Sequence, residues 1–278
     1  MKKLALLVTA VGLGVALAVA GAAGARSQAT TVRLTGALAA ANETPATKGD
    51  VSAARGTFTA TLTKSATGAT MAWRLEFSNL SGPATAAHIH VAARGVAGPV
   101  RVPLCAPCSS GVSGTANIDA AVLEAIQNDR AYVNVHTALN PAGEIRAQVS
   151  RVATVKTALS ARQEVPKPKG KVNRAKGTFT ATVTREGTSG RIAWRLTFSK
   201  LTGRAVAAHI HSGQRGRAGP VIVPLCAPCR SGARGTATVN AAVLSALQAG
   251  RAYVNVHTAR NQAGEVRGQI RAVPLTVS

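Results

Sequence analysis

The stretch Ala131-Tyr132-Val133-Asn134-Val135-His136-Thr137 occurs twice in this chain, because residues 252–258 carry the same seven letters. The phrase Ala-His-Ile-His at residues 87–90 also returns, at residues 208–211, and both repeats are offset by 121 positions. The offset holds without insertion or deletion over nearly the whole of each copy. A constant offset over that length indicates two copies of one domain, which we place at residues 31–151 and 152–272.

Alternation of apolar and polar residues dominates each copy and predicts β-strands. In residues 57–63, Phe58, Ala60 and Leu62 would face one side of a strand and the threonines the other. A period of two with one polar face is typical of half-buried antiparallel strands. About seven such runs per copy, separated by Gly, Pro, Asn and Ser, predict an all-β protein with two tandem antiparallel β-sandwich domains.

One segment of each copy has helical rather than strand character. Asp119 can cap a helix over residues 120–128, with Ile118 and Leu123 in position for a hydrophobic staple. Asn240 has the capping position in the second copy. We therefore expect one short helix in each domain, crossing from one sheet to the other.

The net charge of +23 is distributed unevenly between the two copies. Residues 31–150 carry nine basic and seven acidic side chains, a net +2, whereas residues 152–271 carry twenty basic and three acidic, a net +17. The clearest difference is a basic segment, residues 166–176, whose five cations are Lys167, Lys169, Lys171, Arg174 and Lys176. This segment is either a solvated face or a patch that binds polyanions outside the cell.

Residues 1–25 have the pattern of a secretory signal peptide. Lys2 and Lys3 precede an uninterrupted run of apolar and small residues, and small-x-small cleavage candidates follow at residues 18–20 and 23–25. The alternative is an uncleaved membrane anchor, because residues 4–25 are nearly long enough to span a bilayer. In both cases we expect the two copies to lie outside the cytoplasm, in a secreted or cell-surface protein.

Four cysteines form two Cys-Ala-Pro-Cys pairs, Cys105 with Cys108 and Cys226 with Cys229. In an oxidising compartment this spacing favours a disulfide within each pair. The alternatives are redox catalysis or one zinc site built from both pairs, and such a zinc site would need the two loops to face each other.

All six histidines belong to the repeated phrases, three in each copy. His88 and His90 would point to one side of a strand, and alternation around Val133 and Val135 places His136 on a polar face. If the two strands are neighbours, three imidazoles converge, with a carboxylate such as Glu144 as a further ligand. Such a set suits Zn²⁺ or Cu²⁺ with an open position for water, and the alternative is a hydrogen-bonded histidine network. The candidate ligands are His88, His90 and His136 in the first copy and His209, His211 and His257 in the second.

Four spaced phrases of the first copy resemble the CHRD domain, a family named after chordin: residues 88–90, 95–100, 132–137 and 140–146. The second copy carries the same phrases, with Gln262 in place of Pro141. The resemblance implies two tandem CHRD domains. It implies little about activity, because the biochemical role of the family is poorly defined.

A weaker resemblance, over residues 80–90 and 143–146, is to copper/zinc superoxide dismutase. It implies a Greek-key arrangement of the strands in each sandwich. The ligand set of the dismutase is not recognisable, because neither copy has further histidines and the second copy contains no Asp. Dismutase activity is therefore not implied.

The sequence gives no support for an enzyme of the common hydrolytic classes. It contains no nucleophile elbow and no glycine-rich phosphate loop, and its basic residues lack the interleaved aromatics that stack on nucleic-acid bases. We therefore expect a non-enzymatic binding or structural protein whose second domain binds extracellular polyanions or cell-surface components. The alternative is a metal-binding protein, with zinc or copper as the ion and redox or hydrolytic activity.

Overall fold

The computed structural model describes residues 31–276, in which the alternating segments form antiparallel strands in two repeated halves. The predicted signal peptide lies outside the described residues. The first half consists of β1 (Thr31–Ala39), β2 (Arg55–Lys64), β3 (Gly68–Ser78), β4 (Ala84–Val91), β5 (Val100–Cys105), β6 (Val112–Asp119), α1 (Ala120–Gln127), β7 (Ala131–Thr137) and β8 (Ile145–Gln148). The second half consists of β9 (Ser150–Ser160), β10 (Lys176–Glu186), β11 (Ser189–Ser199), β12 (Ala205–Ser212), β13 (Val221–Cys226), β14 (Ala233–Val239), α2 (Ala241–Gln248), β15 (Ala252–Thr258) and β16 (Val266–Ile270).

Each half has two layers of strands around one apolar core. In the first half, the first layer has the strand order β6-β3-β2-β1 and the second layer has the order β5-β4-β7-β8. The corresponding orders in the second half are β14-β11-β10-β9 and β13-β12-β15-β16. The prediction of a mostly β, antiparallel protein with two repeated halves and one short helix in each is confirmed.

Each α-helix connects the two layers, as the capping pattern predicted. Helix α1 follows β6 directly and leads to β7, and the Asp119 side chain accepts a hydrogen bond from the backbone N–H of Val122 at 2.7 Å. The Asn240 side chain makes the same bond to the N–H of Val243 at 3.1 Å. These bonds satisfy one of the backbone donors left free at the start of each helix.

Strand β7, which carries the candidate ligand His136, is buried on both faces. All seven of its residues are buried, although Val133 and Val135 belong to the apolar core and Asn134 points away from it. A loop after β7 covers the outer face, where the Asn134 amide donates to the carbonyl oxygen of Ala142 at 3.3 Å. The polar face predicted from alternation is therefore enclosed by protein.

The join between the halves is a strand rather than a flexible linker. The predicted boundary, between residues 151 and 152, lies inside β9, where Arg33 of β1 pairs with Val152. Arg151 is only 1% exposed, and its guanidinium contacts the Asp129 carboxylate at 2.9 Å and the carbonyl oxygen of Leu275 at 3.1 Å. Strand β9 also pairs with β10, so the two first layers are continuous through β1 and β9. One residue pair between β1 and β8 and one between β9 and β16 connect the second layers to them, so all sixteen strands of residues 31–276 belong to one hydrogen-bonded network. Independent folding of each half stays a prediction.

Both cysteine pairs form disulfides within their own loops, as the spacing predicted. Cys105 is bonded to Cys108, and Cys226 is bonded to Cys229. Residues 31–276 include no helix of the length and apolarity needed to cross a membrane.

Candidate metal centre

The three histidines of each half converge on the outer face of the second layer. Strands β4 and β7 are neighbours, and Ala86 pairs with His136 while His88 pairs with Asn134. One ligand nitrogen from each ring of His88, His90 and His136 lies within 4.8 Å of the other two. We call this cluster the first triad; His209, His211 and His257 form the second triad with the same spacing limit. The predicted convergence in space is therefore present in both halves.

The hydrogen bonds of the rings fix the tautomers of two histidines in the first triad. His90 Nδ1 lies 2.9 Å from the carbonyl oxygen of Gly98, and His136 Nδ1 lies 3.0 Å from that of Pro141. A carbonyl oxygen only accepts, so each Nδ1 carries the proton and each Nε2 presents a lone pair. His88 Nδ1 then donates to Nε2 of His136 at 3.1 Å.

One lone pair of the first triad has no partner. Nε2 of His90 is buried and has no hydrogen-bond partner of normal geometry within residues 31–276. Burial lowers the pKa of His90, and the Asn134 side chain, whose Oδ1 is also without a partner, lies close enough to oppose that shift slightly. A buried acceptor without a partner lowers the stability of the folded state by about 1–3 kcal/mol, so such atoms are rare in native proteins. The same atom of His211 is also buried and unpartnered in the second triad.

The second triad repeats these contacts closely despite the change in surface charge. His211 Nδ1 donates to the carbonyl oxygen of Gly219 at 2.9 Å, and His257 Nδ1 donates to that of Gln262 at 2.8 Å. His209 Nδ1 lies 3.0 Å from Nε2 of His257. The replacement of Pro141 by Gln262 leaves the bond intact, because only the backbone carbonyl takes part.

A stack of three planar groups holds His90 in place. The His90 ring stacks on the Tyr132 ring with centroids 4.9 Å apart, and the Arg146 guanidinium lies 3.4 Å from the centre of the tyrosine ring. The Tyr132 hydroxyl accepts from the N–H of Gly98 at 3.0 Å, so the tyrosine also fixes the residue that accepts from His90. No local sequence pattern indicates this stack, which His211, Tyr253 and Arg267 repeat in the second half.

Burial keeps the imidazoles neutral. It lowers the pKa of His88, His90 and His136, and the neighbouring histidines lower that of His88 further. The same cause lowers the pKa of His257 to about 4. Because only a neutral imidazole has a free lone pair, both triads are in a form that can bind a metal at neutral pH.

The carboxylate expected beside the triad does not join it. Glu144 instead accepts hydrogen bonds from the Ser81 N–H at 2.6 Å, the Thr137 hydroxyl at 2.6 Å and the Asn140 amide at 3.0 Å. These bonds close the loop between β7 and β8. That part of the expectation is wrong, because residue 144 lies in the loop before β8 and its side chain turns towards Ser81.

A second carboxyl group, that of Glu43, is buried beside Asn134 of β7 and the loop at Gly143. Burial raises its pKa to about 7, and the nearby Arg146 only partly opposes this effect. Glu43 Oε1 has no hydrogen-bond partner within residues 31–276. Glu164 has the same position in the second half, and burial also raises its pKa to about 7.

The loop that covers the triad requires glycine at position 143. Gly143 has a φ of +132°, and a Cβ there would lie 2.6 Å from Nδ2 of Asn134 and 2.6 Å from Oε1 of Glu43. We expect Gly143→Ala to lower the free energy of unfolding by about 2 kcal/mol or more, because backbone strain and overlap with buried polar atoms add. The measurement is urea unfolding. Gly82→Ala is the control, since its Cβ would meet nothing within 4 Å, and a loss there as large as at Gly143 would contradict this account.

The five cations of the basic segment do not approach the triad ligands in any hydrogen bond or ion pair of residues 31–276. Their side chains are exposed, and the segment is held through its backbone. The Lys169 N–H donates to the side-chain oxygen of Asn261 at 2.6 Å, and the amide of Asn261 donates to the Lys169 carbonyl at 3.2 Å. Asn140 holds Lys48 in the same way in the first half.

Comparison with known proteins assigns both halves to one family. The family model described as CHRD domain matches residues 34–149 and, a second time, residues 155–270. No curated protein and no solved structure matches the chain. The two matched ranges contain all six histidines and both disulfides.

Proposed function

The chain belongs to the CHRD domain family, and from that premise we propose that each half is a metal-binding domain whose histidine triad holds one zinc or copper ion. The observation that carries the proposal is the buried, unpartnered Nε2 of His90 and of His211. A metal ion would satisfy that lone pair in each half, and one ligand nitrogen from each of the three rings lies within 4.8 Å of the others. The function is binding, and no catalytic step is assigned.

The spacing of the nitrogens supports this proposal. Two ligands of a tetrahedral zinc ion, with bonds of 2.0–2.1 Å, are about 3.3 Å apart. The His88–His136 pair is 3.1 Å apart, and the His209–His257 pair is 3.0 Å apart. Moving the proton of His88 from Nδ1 to Nε2 would free the third lone pair, so that each of the three rings could offer one nitrogen to a metal ion.

The outer hydrogen bonds also support it. Metal-binding histidines usually donate their other N–H to a carbonyl or carboxylate, which fixes ring orientation and tautomer. His90 and His136 do so through Gly98 and Pro141. Three neutral nitrogen ligands with an open position suit Zn²⁺ and Cu²⁺ better than the oxygen-seeking Mg²⁺ or Ca²⁺.

The test is a calorimetric titration of the metal-free protein with Zn²⁺ and with Cu²⁺ at neutral pH. We expect two ions to bind per chain, and we expect a variant with His90 and His211 both replaced by alanine to bind none at the same concentrations. Binding no tighter than about millimolar would leave the hydrogen-bonded histidine network as the better account.

We propose as a second function that the protein acts outside the cell and that its basic segment binds polyanions. The five cations Lys167, Lys169, Lys171, Arg174 and Lys176 are exposed, and the two disulfides support an oxidising compartment. Replacing all five with alanine should lower the salt concentration that elutes the protein from a heparin column. The control replaces Lys48, Arg55 and Lys64 of the first half, and an equal shift there would count against the segment.

A further inference from the structure

The first layer of the second half exposes a broad polar face that the metal site does not use. On β10, Phe179 and Val183 face the core, whereas Thr180 and Thr182 point to the opposite side. The same alternation on β9, β11 and β14 builds one continuous face, which we call the outer face.

Three cations stand in one row across this outer face. Lys156 pairs with Thr180, Thr180 pairs with Arg195, and Arg195 pairs directly with Arg234. Adjacent strands are about 4.8 Å apart, so the row spans about 14 Å. A fourth cation, Arg191, lies four residues along β11 from Arg195 on the same face.

These charges are not neutralised by the protein. All four side chains are exposed, and none has an ion pair or a side-chain hydrogen bond within residues 31–276. Like charges directly opposite each other on neighbouring strands are destabilising. The facing pair Arg195 and Arg234 is therefore a cost to the fold unless an anion binds between them.

The first half shows that the fold does not need three of these four cations, Lys156, Arg191 and Arg234. The residues 121 positions earlier are Thr35, Thr70, Arg74 and Ser113. Arg74 also has a partner, Glu76 at 2.8 Å, where the second half has Thr197. Core positions hardly change between the halves, as Trp73 and Trp194 show, so the added charge is confined to side chains that point outwards.

The cations line a surface groove whose other polar residues are threonines. The groove has a volume of about 730 Å³, and Lys156, Arg195 and Arg234 share its lining with four threonines: Thr154, Thr180, Thr182 and Thr236. No acidic residue lines it. Trp194 lies beneath it but is only 7% exposed, so no aromatic ring is offered for stacking.

We propose that this groove binds a linear anionic polysaccharide. Carboxylate or sulfate groups would contact Lys156, Arg195 and Arg234, and guanidinium groups can bind such anions through two parallel N–H bonds. Threonine hydroxyls both donate and accept, which suits the hydroxyl groups of the sugar rings between the charges. Single-stranded nucleic acid fits less well, because its binding sites combine cations with stacking aromatics. The site is separate from the metal triads and lies outside the 166–176 segment.

The test measures binding of a heparin hexasaccharide to the full chain. The groove variant carries Lys156→Thr, Arg191→Thr and Arg234→Ser, which are the residues of the first half at these positions, so the fold should be kept. We expect its dissociation constant to rise by more than about tenfold. A matched variant removes the same charge from exposed positions outside both the groove and the basic segment, with Arg204, Arg215 and Arg230 replaced by alanine, and we expect a change of less than about threefold.

Two results would overturn the proposal. One is a loss in the matched variant as large as in the groove variant, which would show attraction by overall charge alone. The other is that the parent binds a DNA duplex more tightly than the hexasaccharide, and that the groove variant loses affinity for both to the same extent. That result would show a nucleic-acid partner. Zinc stoichiometry measured on the same samples keeps this result separate from the metal proposal, since the groove variant should still bind two ions.

Discussion

Replacing His90 with alanine is expected to remove metal binding from the first half and to leave the second half unchanged, so that zinc stoichiometry falls from two ions per chain to one. His90 supplies the lone pair that is already oriented, buried and free of other partners. Loss of an outer hydrogen-bond partner of a metal ligand typically costs 10–100-fold in affinity. Loss of a ligand itself should therefore weaken the first site by more than about a hundredfold.

The repeat supplies the controls for this experiment. His211→Ala should remove the second site and spare the first, because His211 has the same contacts in the second triad. His90→Phe keeps a ring to stack on Tyr132 while removing the nitrogen, so it separates ligand loss from loss of packing. Retention of two equal sites in either His90 variant would contradict the proposed role of this residue.

Replacing Glu43 and Glu164 with glutamine is expected to remove a contribution to stability that the two carboxyl groups make at pH 5 and lose by pH 8. Burial raises the pKa of each carboxyl group from 4.5 to about 7. The folded state thus holds protons that the unfolded state releases above pH 4.5. This stabilisation is complete below pH 4.5 and is lost as the pH rises through 7.

The contribution of each carboxyl group to the free energy of unfolding is expected to be about 3 kcal/mol, because one pKa unit corresponds to about 1.4 kcal/mol. Glutamine has the same shape and does not titrate, so each variant should become more stable relative to the parent as the pH rises. The measurement is urea unfolding of parent and variant at each pH. The difference cancels the contribution of the histidines, whose lowered pKa values act in the opposite direction.

Glu124→Gln is the control for these two substitutions. Glu124 lies on the surface of α1, and its contact with Arg130 is 3.6 Å long with both side chains more than half exposed. Its replacement should change the free energy of unfolding by no more than about 0.5 kcal/mol at either pH. The difference in free energy of unfolding between the parent and Glu43→Gln should change from pH 5 to pH 8. The same difference at both pH values would show that the carboxyl group is not buried as described.

Local sequence pattern was sufficient to predict the strands, the helices and the disulfides. Alternation identified core residues such as Phe58 and Leu62, and capping chemistry placed α1 and α2 correctly. The histidines could be assigned to one side of their strands by the same period of two. Their convergence was conditional on β4 and β7 being neighbours, and the structure meets that condition.

What the sequence could not show depends on contacts between distant segments. Glu43 and Arg146 are about a hundred positions apart, so nothing local indicated a buried carboxyl group beside a buried guanidinium. The polar face of β7 is covered by loops whose sequence has no apolar pattern, because backbone carbonyls such as that of Pro141 make the contacts. Only the recurrence of Glu43 as Glu164, and of Arg146 as Arg267, could have drawn attention to these positions.

The central claim, one metal ion in each histidine triad, is tested most directly by anomalous scattering from crystals grown with zinc. We expect two anomalous peaks per chain at the zinc absorption edge. Each should lie about 2.0–2.1 Å from three nitrogens: His88 Nδ1, His90 Nε2 and His136 Nε2 in one half, and the equivalent atoms of His209, His211 and His257 in the other. Density with no peak in either triad, and with Nε2 of His90 still without a ligand, would contradict it.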